Sequence, residues 1–374
     1  MLCPSSVLRP VSLGRQLLLS SVALVTTVGL LGLAPVLTAA QTSAVMAAST
    51  HPASAPRSGA AAAATEARST PVDKLFSAVV RIESQAPEGA MSSASLGRQR
   101  TGTGVVIDER TVLTIGYLIL ETDSVDILTP QGRKIPAAVA GYDHQTGFGL
   151  VRAVLPLGID PLELGDSDAI SERSRVLTLG QGEREITELM VVSRKPFSGS
   201  WEYFLERPFY TFPPVNNWSG AALFGRDGKL IGIGSLVVND AASDRAGVPG
   251  NLYVPVNLLK PILADLQSKG RRAADAQPWL GINVEPVHGN LVITRVQSGS
   301  PADRAGISSG AVVLAVAGEK VADREALFRR IRQVGPAGTA LTLQVLQQGG
   351  LREIEVRSID RADFLQRSQR GRGI

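Results

Sequence analysis

Thiol and imidazole groups are scarce in these 374 residues, with one cysteine and three histidines in all. Cys3 falls in a segment that reads as removable, so the remaining chain has no disulfide to staple it and no thiolate to act as nucleophile. His51, His144 and His288 are scattered, and without cysteine they cannot build a metal-ligand cluster. No metal and no cofactor is expected. Charge of one sign is lacking too: 38 basic against 34 acidic residues leave +4, with the arginines dispersed, and no nucleic-acid surface follows from that. A long apolar run occurs once, from Leu17 to Ala40, behind Arg9 and Arg15 and ending in the small residues Thr38, Ala39 and Ala40. That layout is a signal peptide over residues 1–40. Its length also suffices to span a bilayer, so an uncleaved membrane anchor is the alternative. Both readings export the rest, to the periplasm or cell envelope.

What is present is apolar content of 44% and 38 glycines, enough for a turn-rich fold with a real core. Residues 41–72 are Ala, Ser, Thr and Pro with little to bury, and read as a disordered linker in which His51 is solvated. From residue 73 short apolar runs alternate with glycine-marked turns, as in "GTGVVID", "TVLTIGYLIL" and "KLIGIGSLVV", the texture of a barrel or sandwich. A helix pattern closes the region at "PVNLLKPILADLQSKG", with Leu258, Leu259, Ile262, Leu263 and Leu266 on one face and Gly270 as its stop. A polar linker leads to a small α+β unit from Trp279 to about Ile359. Residues 361–374, with Arg367, Arg370 and Arg372, read as a flexible basic tail.

Three blocks carry a resemblance to a known family. "GTGVVIDERTVLTIGYLIL", "VAGYDHQTGFGLVRA" and "NNWSGAALFGRDGKLIGIGSL" follow one another in the order, and at the separations, of the blocks that hold the catalytic residues of HtrA/Deg serine proteases. The resemblance implies a mainly β protein: a chymotrypsin-like double β-barrel over 73–268 followed by a small α+β PDZ domain over 277–360. It also implies a triad, and here the chain departs. The histidine position holds Tyr117, the aspartate position holds Gly147, and Ser219 stands at the nucleophile position. A serine hydroxyl needs a base to take its proton as it attacks. Neutral tyrosine, with a pKa of about 10, is a poor one at neutral pH, and glycine can orient nothing. The oxyanion-hole position, glycine in the family, is Asn217; the last glycine of that loop is Ala221, and bulky Trp218 precedes the serine. Substitute bases are poorly placed: His144 lies three residues from Gly147, a displacement of about 10 Å along a loop, and Lys195 is a candidate by elimination. Asp143 reads as a turn former. Ser219 itself reads as a small residue in a tight turn.

The second unit resembles the PDZ domains of bacterial HtrA proteins. Trp279, Leu280, Gly281 and Ile282 fall at the carboxylate-binding loop, where consecutive backbone N–H groups can cup a chain terminus and an added strand can follow. Leu327 and Ile331, with Phe328, are expected to line the groove from a helix over 323–334. Ala311 and Ala317 replace the usual aspartate and asparagine of two turns. The expected function is a pseudoprotease of the envelope. It would bind C-terminal or unfolded peptides of envelope proteins, in quality control or as a regulator of an active HtrA homologue. The family also implies a homotrimer built through residues before the first barrel, where Phe76 is available. The alternatives are an active serine endopeptidase with a rewired site at Ser219, and a structural or chaperone-like envelope protein.

Overall fold

A computed structural model of the chain describes residues 71–243, 247–272 and 276–370. The expected leader or anchor (1–40), the linker as far as residue 70 with His51, and the end of the tail lie outside the described residues. After a first helix α1 (Pro71–Ala78), whose Phe76 packs on the barrel core, come β1 (Val79–Gln85), a short α2 (Ser93–Leu96), β2 (Gln99–Val106) and β3 (Thr111–Ile115). With β4 (Ser124–Leu128), β5 (Lys134–Tyr142) and β6 (Phe148–Ala153) they close a barrel in the order β1-β2-β3-β6-β5-β4. Alternation drives the closure, because every second side chain of β1, from Val80 to Ser84, turns inward.

A second closed barrel has the order β11-β14-β13-β12-β7-β8. Its strands are β7 (Arg175–Leu179), β8 (Thr187–Ser193), β11 (Phe209–Phe212), β12 (Ala222–Phe224), β13 (Leu230–Val238) and β14 (Gly250–Pro255). Between β8 and β11 a separate hairpin stands out of the barrel, β9 (Phe197–Gly199) and β10 (Tyr203–Leu205). The fold is mainly β and chymotrypsin-like, as the sequence implied.

The closing segment departs from one amphipathic helix. A proline ring cannot sit in a helix interior, and Pro261 leaves a 3-10 turn (Val256–Leu258) and then α3 (Leu263–Lys269). Leu259, Ile262 and Leu266 reach the core, whereas Leu258 is 39% exposed. The Gly270 N–H closes α3 on the Leu266 carbonyl at 3.1 Å.

The α+β unit follows: β15 (Ile282–Val287), β16 (Asn290–Val296), α4 (Pro301–Arg304), β17 (Val312–Val316), β18 (Glu319–Lys320), α5 (Arg324–Val334), β19 (Ala340–Gln347) and β20 (Gly350–Arg357). The Asp323 carboxylate caps α5 by accepting the Ala326 N–H at 2.8 Å. The tail corrects the expectation of a frayed end: α6 (Arg361–Arg370) starts at once. Its Phe364 ring lies 4.8 Å from Trp279, and Asp363 pairs with Arg271 at 2.6 Å. One aromatic contact, with Trp279 buried and Phe364 half-buried, outweighs the polar composition that suggested disorder.

Asp143 is structural. Its carboxylate, 4% exposed, accepts the Thr146 N–H (3.0 Å) and hydroxyl (2.6 Å) and both forks of Arg272 (3.2 and 3.0 Å). It thereby shapes the β5–β6 turn and ties it to the segment after α3. Loss of a buried pair strands the partner charge, so Asp143→Ala should cost about 3 kcal/mol in urea unfolding. Asp240→Ala, at an exposed pair with Lys195, should change stability by under about 1 kcal/mol.

Candidate functional site

The three blocks meet where the barrels face each other. Tyr117 lies in a 3-10 turn (Gly116–Leu118) directly after β3, and Ser219 in the turn before β12. The Thr103 N–H of β2 donates to the Ser219 carbonyl at 2.8 Å, which fixes the serine turn of the second barrel against the first. Tyr117 Oη stands 2.9 Å from Ser219 Oγ and 2.9 Å from the Ser235 carbonyl oxygen on β13. A phenol has one proton and a carbonyl only accepts. The phenol hydroxyl faces two acceptors with that one proton, Ser219 Oγ and the Ser235 carbonyl oxygen, and is the donor toward each. Burial pushes the Tyr117 phenol far above its ordinary range, so the phenolate, its only basic form, is unpopulated at neutral pH. Ser219 Oγ is therefore held by an oxygen that cannot take its proton away.

At the aspartate position, Gly147 holds φ +81, and a Cβ there would lie 3.0 Å from the Tyr203 hydroxyl. Tyr203, buried, donates that hydroxyl to the Thr146 carbonyl at 2.7 Å. The space an acidic side chain would need is thus taken by a tyrosine, and the left-handed backbone is one that glycine adopts without strain.

The substitute bases are elsewhere. His144 packs edge-on against Tyr142, 4.2 Å between centroids, with Nδ1 buried and unpartnered; burial lowers its pKa well below the usual imidazole value. Lys195 Nζ bonds the Asp240 carboxylate (3.0 Å) and the Ala242 carbonyl (3.1 Å). His288 occupies a turn at φ +48. Among the described residues no group of three or more His, Cys, Asp or Glu could hold a metal. Asn217 is exposed, and Trp218 tilts against Tyr117 with ring centroids 6.4 Å apart. Together with Trp201, Tyr203 and Leu236 these two rings line a cavity of about 440 Å³.

The second unit brings its expected residues together. Leu280, Ile282, Leu327, Phe328 and Ile331 are all buried in one cluster, and Trp279 is fixed by paired backbone hydrogen bonds with Ile359 (3.0 and 3.1 Å). Gly281 holds φ +87, where a Cβ would lie 2.2 Å from that of Ser300. The N–H groups of Leu280, Gly281 and Ile282 converge, at 2.8, 2.6 and 2.8 Å, on the carboxylate of Glu202 at the tip of the β9–β10 hairpin. Burial pushes that carboxyl up to about 7, against the three N–H groups that hold it down. Phe204, two residues on, joins the same apolar cluster. Reasoning from sequence had not singled out Glu202, Tyr203 or Phe204. The one available signal was an acid among aromatics in "WEYFLE", which does not identify a partner 78 residues away.

Residues 102–233 match the trypsin-like peptidase domain and residues 278–357 the PDZ domain. A probable periplasmic serine endoprotease DegP-like of Halomonas elongata is 26% identical over 306 residues, covering 77% of this chain and 61% of the relative. Periplasmic serine endoprotease DegP of Escherichia coli is 25% identical over 263 residues, covering 66% and 54%. The chain thus spans a little over half the length of the curated relatives it matches. Among solved structures, a variant of HtrA-type protease AlgW with tripeptide has a TM-score of 0.51 at 20% identity, covering 78% of this chain and 96% of its own. That likeness concerns the fold.

If the phenol proton serves the Ser235 carbonyl, Tyr117→Phe leaves that buried oxygen unpaired. It should destabilise the protein by about 1–3 kcal/mol in chemical denaturation while creating no reactivity at Ser219.

Proposed function

Given that the chain is an HtrA/Deg-type protein, a trypsin-like peptidase domain followed by a PDZ domain, we propose that it works as a peptide-binding pseudoprotease of the cell envelope. The observation that carries this reading is the Ser219–Tyr117–Ser235 arrangement, in which the serine oxygen faces a protonated phenol, a hydrogen-bond donor where a base should stand. Nucleophilic attack needs a general base within about 2.6–3.2 Å of that hydroxyl. The side chain at that distance is not one, and the acid that would steer a base is replaced by Gly147 with Tyr203 in its space. Loss of triad members removes several orders of magnitude of rate.

What remains is binding. The carboxylate cup of the PDZ domain, its apolar wall and the aromatic cavity where the barrels, the hairpin and the PDZ unit meet all suit extended peptide. Relatives described as periplasmic support an exported protein acting on C-terminal or unfolded peptides of other envelope proteins, or as a partner of an active homologue. Among the described residues no helix is long and apolar enough to cross a membrane.

A fluorophosphonate probe tests the reading. The expected outcome is no adduct at Ser219 by intact mass; stoichiometric labelling lost in Ser219→Ala would establish an active endopeptidase instead. Restoring two triad residues with Tyr117→His and Gly147→Asp should also leave the protein unlabelled, because Tyr203 and the positive φ at 147 oppose the new aspartate.

A further inference from the structure

The PDZ cup holds an acid of its own chain. Both oxygens of the Glu202 carboxylate are used: one accepts from Leu280, the other from Gly281 and Ile282. Three successive backbone donors on one carboxylate form an anion nest. The rest of the hairpin repeats the pattern of a bound peptide. The Val284 N–H of β15 donates to the Ser200 carbonyl at 2.9 Å, a single backbone hydrogen bond at the edge where an added strand would pair. Phe204 fills the apolar pocket beside Leu327 and Ile331. Arg332 on α5 donates to the Phe204 carbonyl at 3.0 Å and lies 4.8 Å over its ring.

The hairpin is strained to do this. A three-residue loop over 200–202 puts its last residue in the left-handed region, and Glu202 holds φ +58 there. Glycine or asparagine takes such a position at lower cost. The strain goes with the three hydrogen bonds that only an acidic side chain at this point can accept.

We propose that the 197–205 hairpin is a built-in ligand of the PDZ groove, with Glu202 standing in for a chain terminus, so that an extended peptide with a free terminal carboxylate binds only by displacing it. The inference rests on the reading that the groove takes peptide termini. A peptide carboxylate and Glu202 require the same three N–H groups, so occupancy is exclusive. The apparent affinity for peptide is then the intrinsic one scaled by the fraction of molecules with the hairpin released. Partners with apolar C-terminal residues, able to refill the Phe204 pocket, are the ones that can compete.

The test uses the full chain and Glu202→Ala, with Glu202→Gln as the variant of matched size, each verified as folded by its thermal unfolding. Amide hydrogen exchange over residues 280–284 reads the clasp without any ligand, and removal of the carboxylate should speed it by about tenfold or more. Fluorescence anisotropy then follows ten-residue peptides ending in Val, Leu or Phe, with C-terminal amides as controls. Binding should be at least about tenfold tighter to Glu202→Ala than to wild type, and only for the free acids. Unchanged exchange in both variants overturns the proposal, as does equal peptide affinity for wild type and variant, an outcome that leaves the binding reading intact. Faster exchange with no peptide bound by either protein retires the binding reading, and the competition with it.

Discussion

The phenol of Tyr117 carries one proton and has two oxygen neighbours, and the Ser235 carbonyl can only receive. From that constraint the chemistry of the cleft follows. The serine oxygen faces a protonated phenol, which offers a hydrogen and has no capacity to take one at neutral pH, within one polar network. In a partly buried site, a network with its partners supplied is rigid and stable. The retained Ser219 then reads as a member of that network, its turn locked between β2 and β13.

The aromatic hairpin joins the two halves of the molecule through strand geometry. Glu202 enters the PDZ unit from the turn; on β10, where side chains alternate in direction, Phe204 follows it while Tyr203 between them turns back to Thr146 and the space beside Gly147. One short β-element therefore occupies the space beside Gly147 and the backbone N–H groups of residues 280–282.

Local pattern indicated a barrel or sandwich and a small α+β unit, and the resemblance of three blocks to HtrA/Deg proteases supplied the double barrel, the PDZ unit and the expectation for Tyr117, Gly147 and Ser219. These features depend on spacing, which a linear text preserves. The Glu202 clasp depends on a contact between residues 202 and 280–282, and no local periodicity encodes it. Tyr203 is hidden for the same reason: its partner Thr146 lies 57 residues earlier. Two errors were local and have plain causes. Pro261 was present in the closing helix pattern but given too little weight against five well-spaced leucines and isoleucines. In the tail, Phe364 was lost among arginines and glutamines, although a single ring against Trp279 suffices to order the start of α6.

The most direct measurement is neutron diffraction from deuterium-exchanged crystals, which locates hydroxyl hydrogens. The account requires a deuteron on the Tyr117 phenol oxygen, between the Ser235 carbonyl and Ser219 Oγ, and a Ser219 deuteron that reaches no base. A Ser219 deuteron directed at an imidazole, an amine or a carboxylate would contradict it.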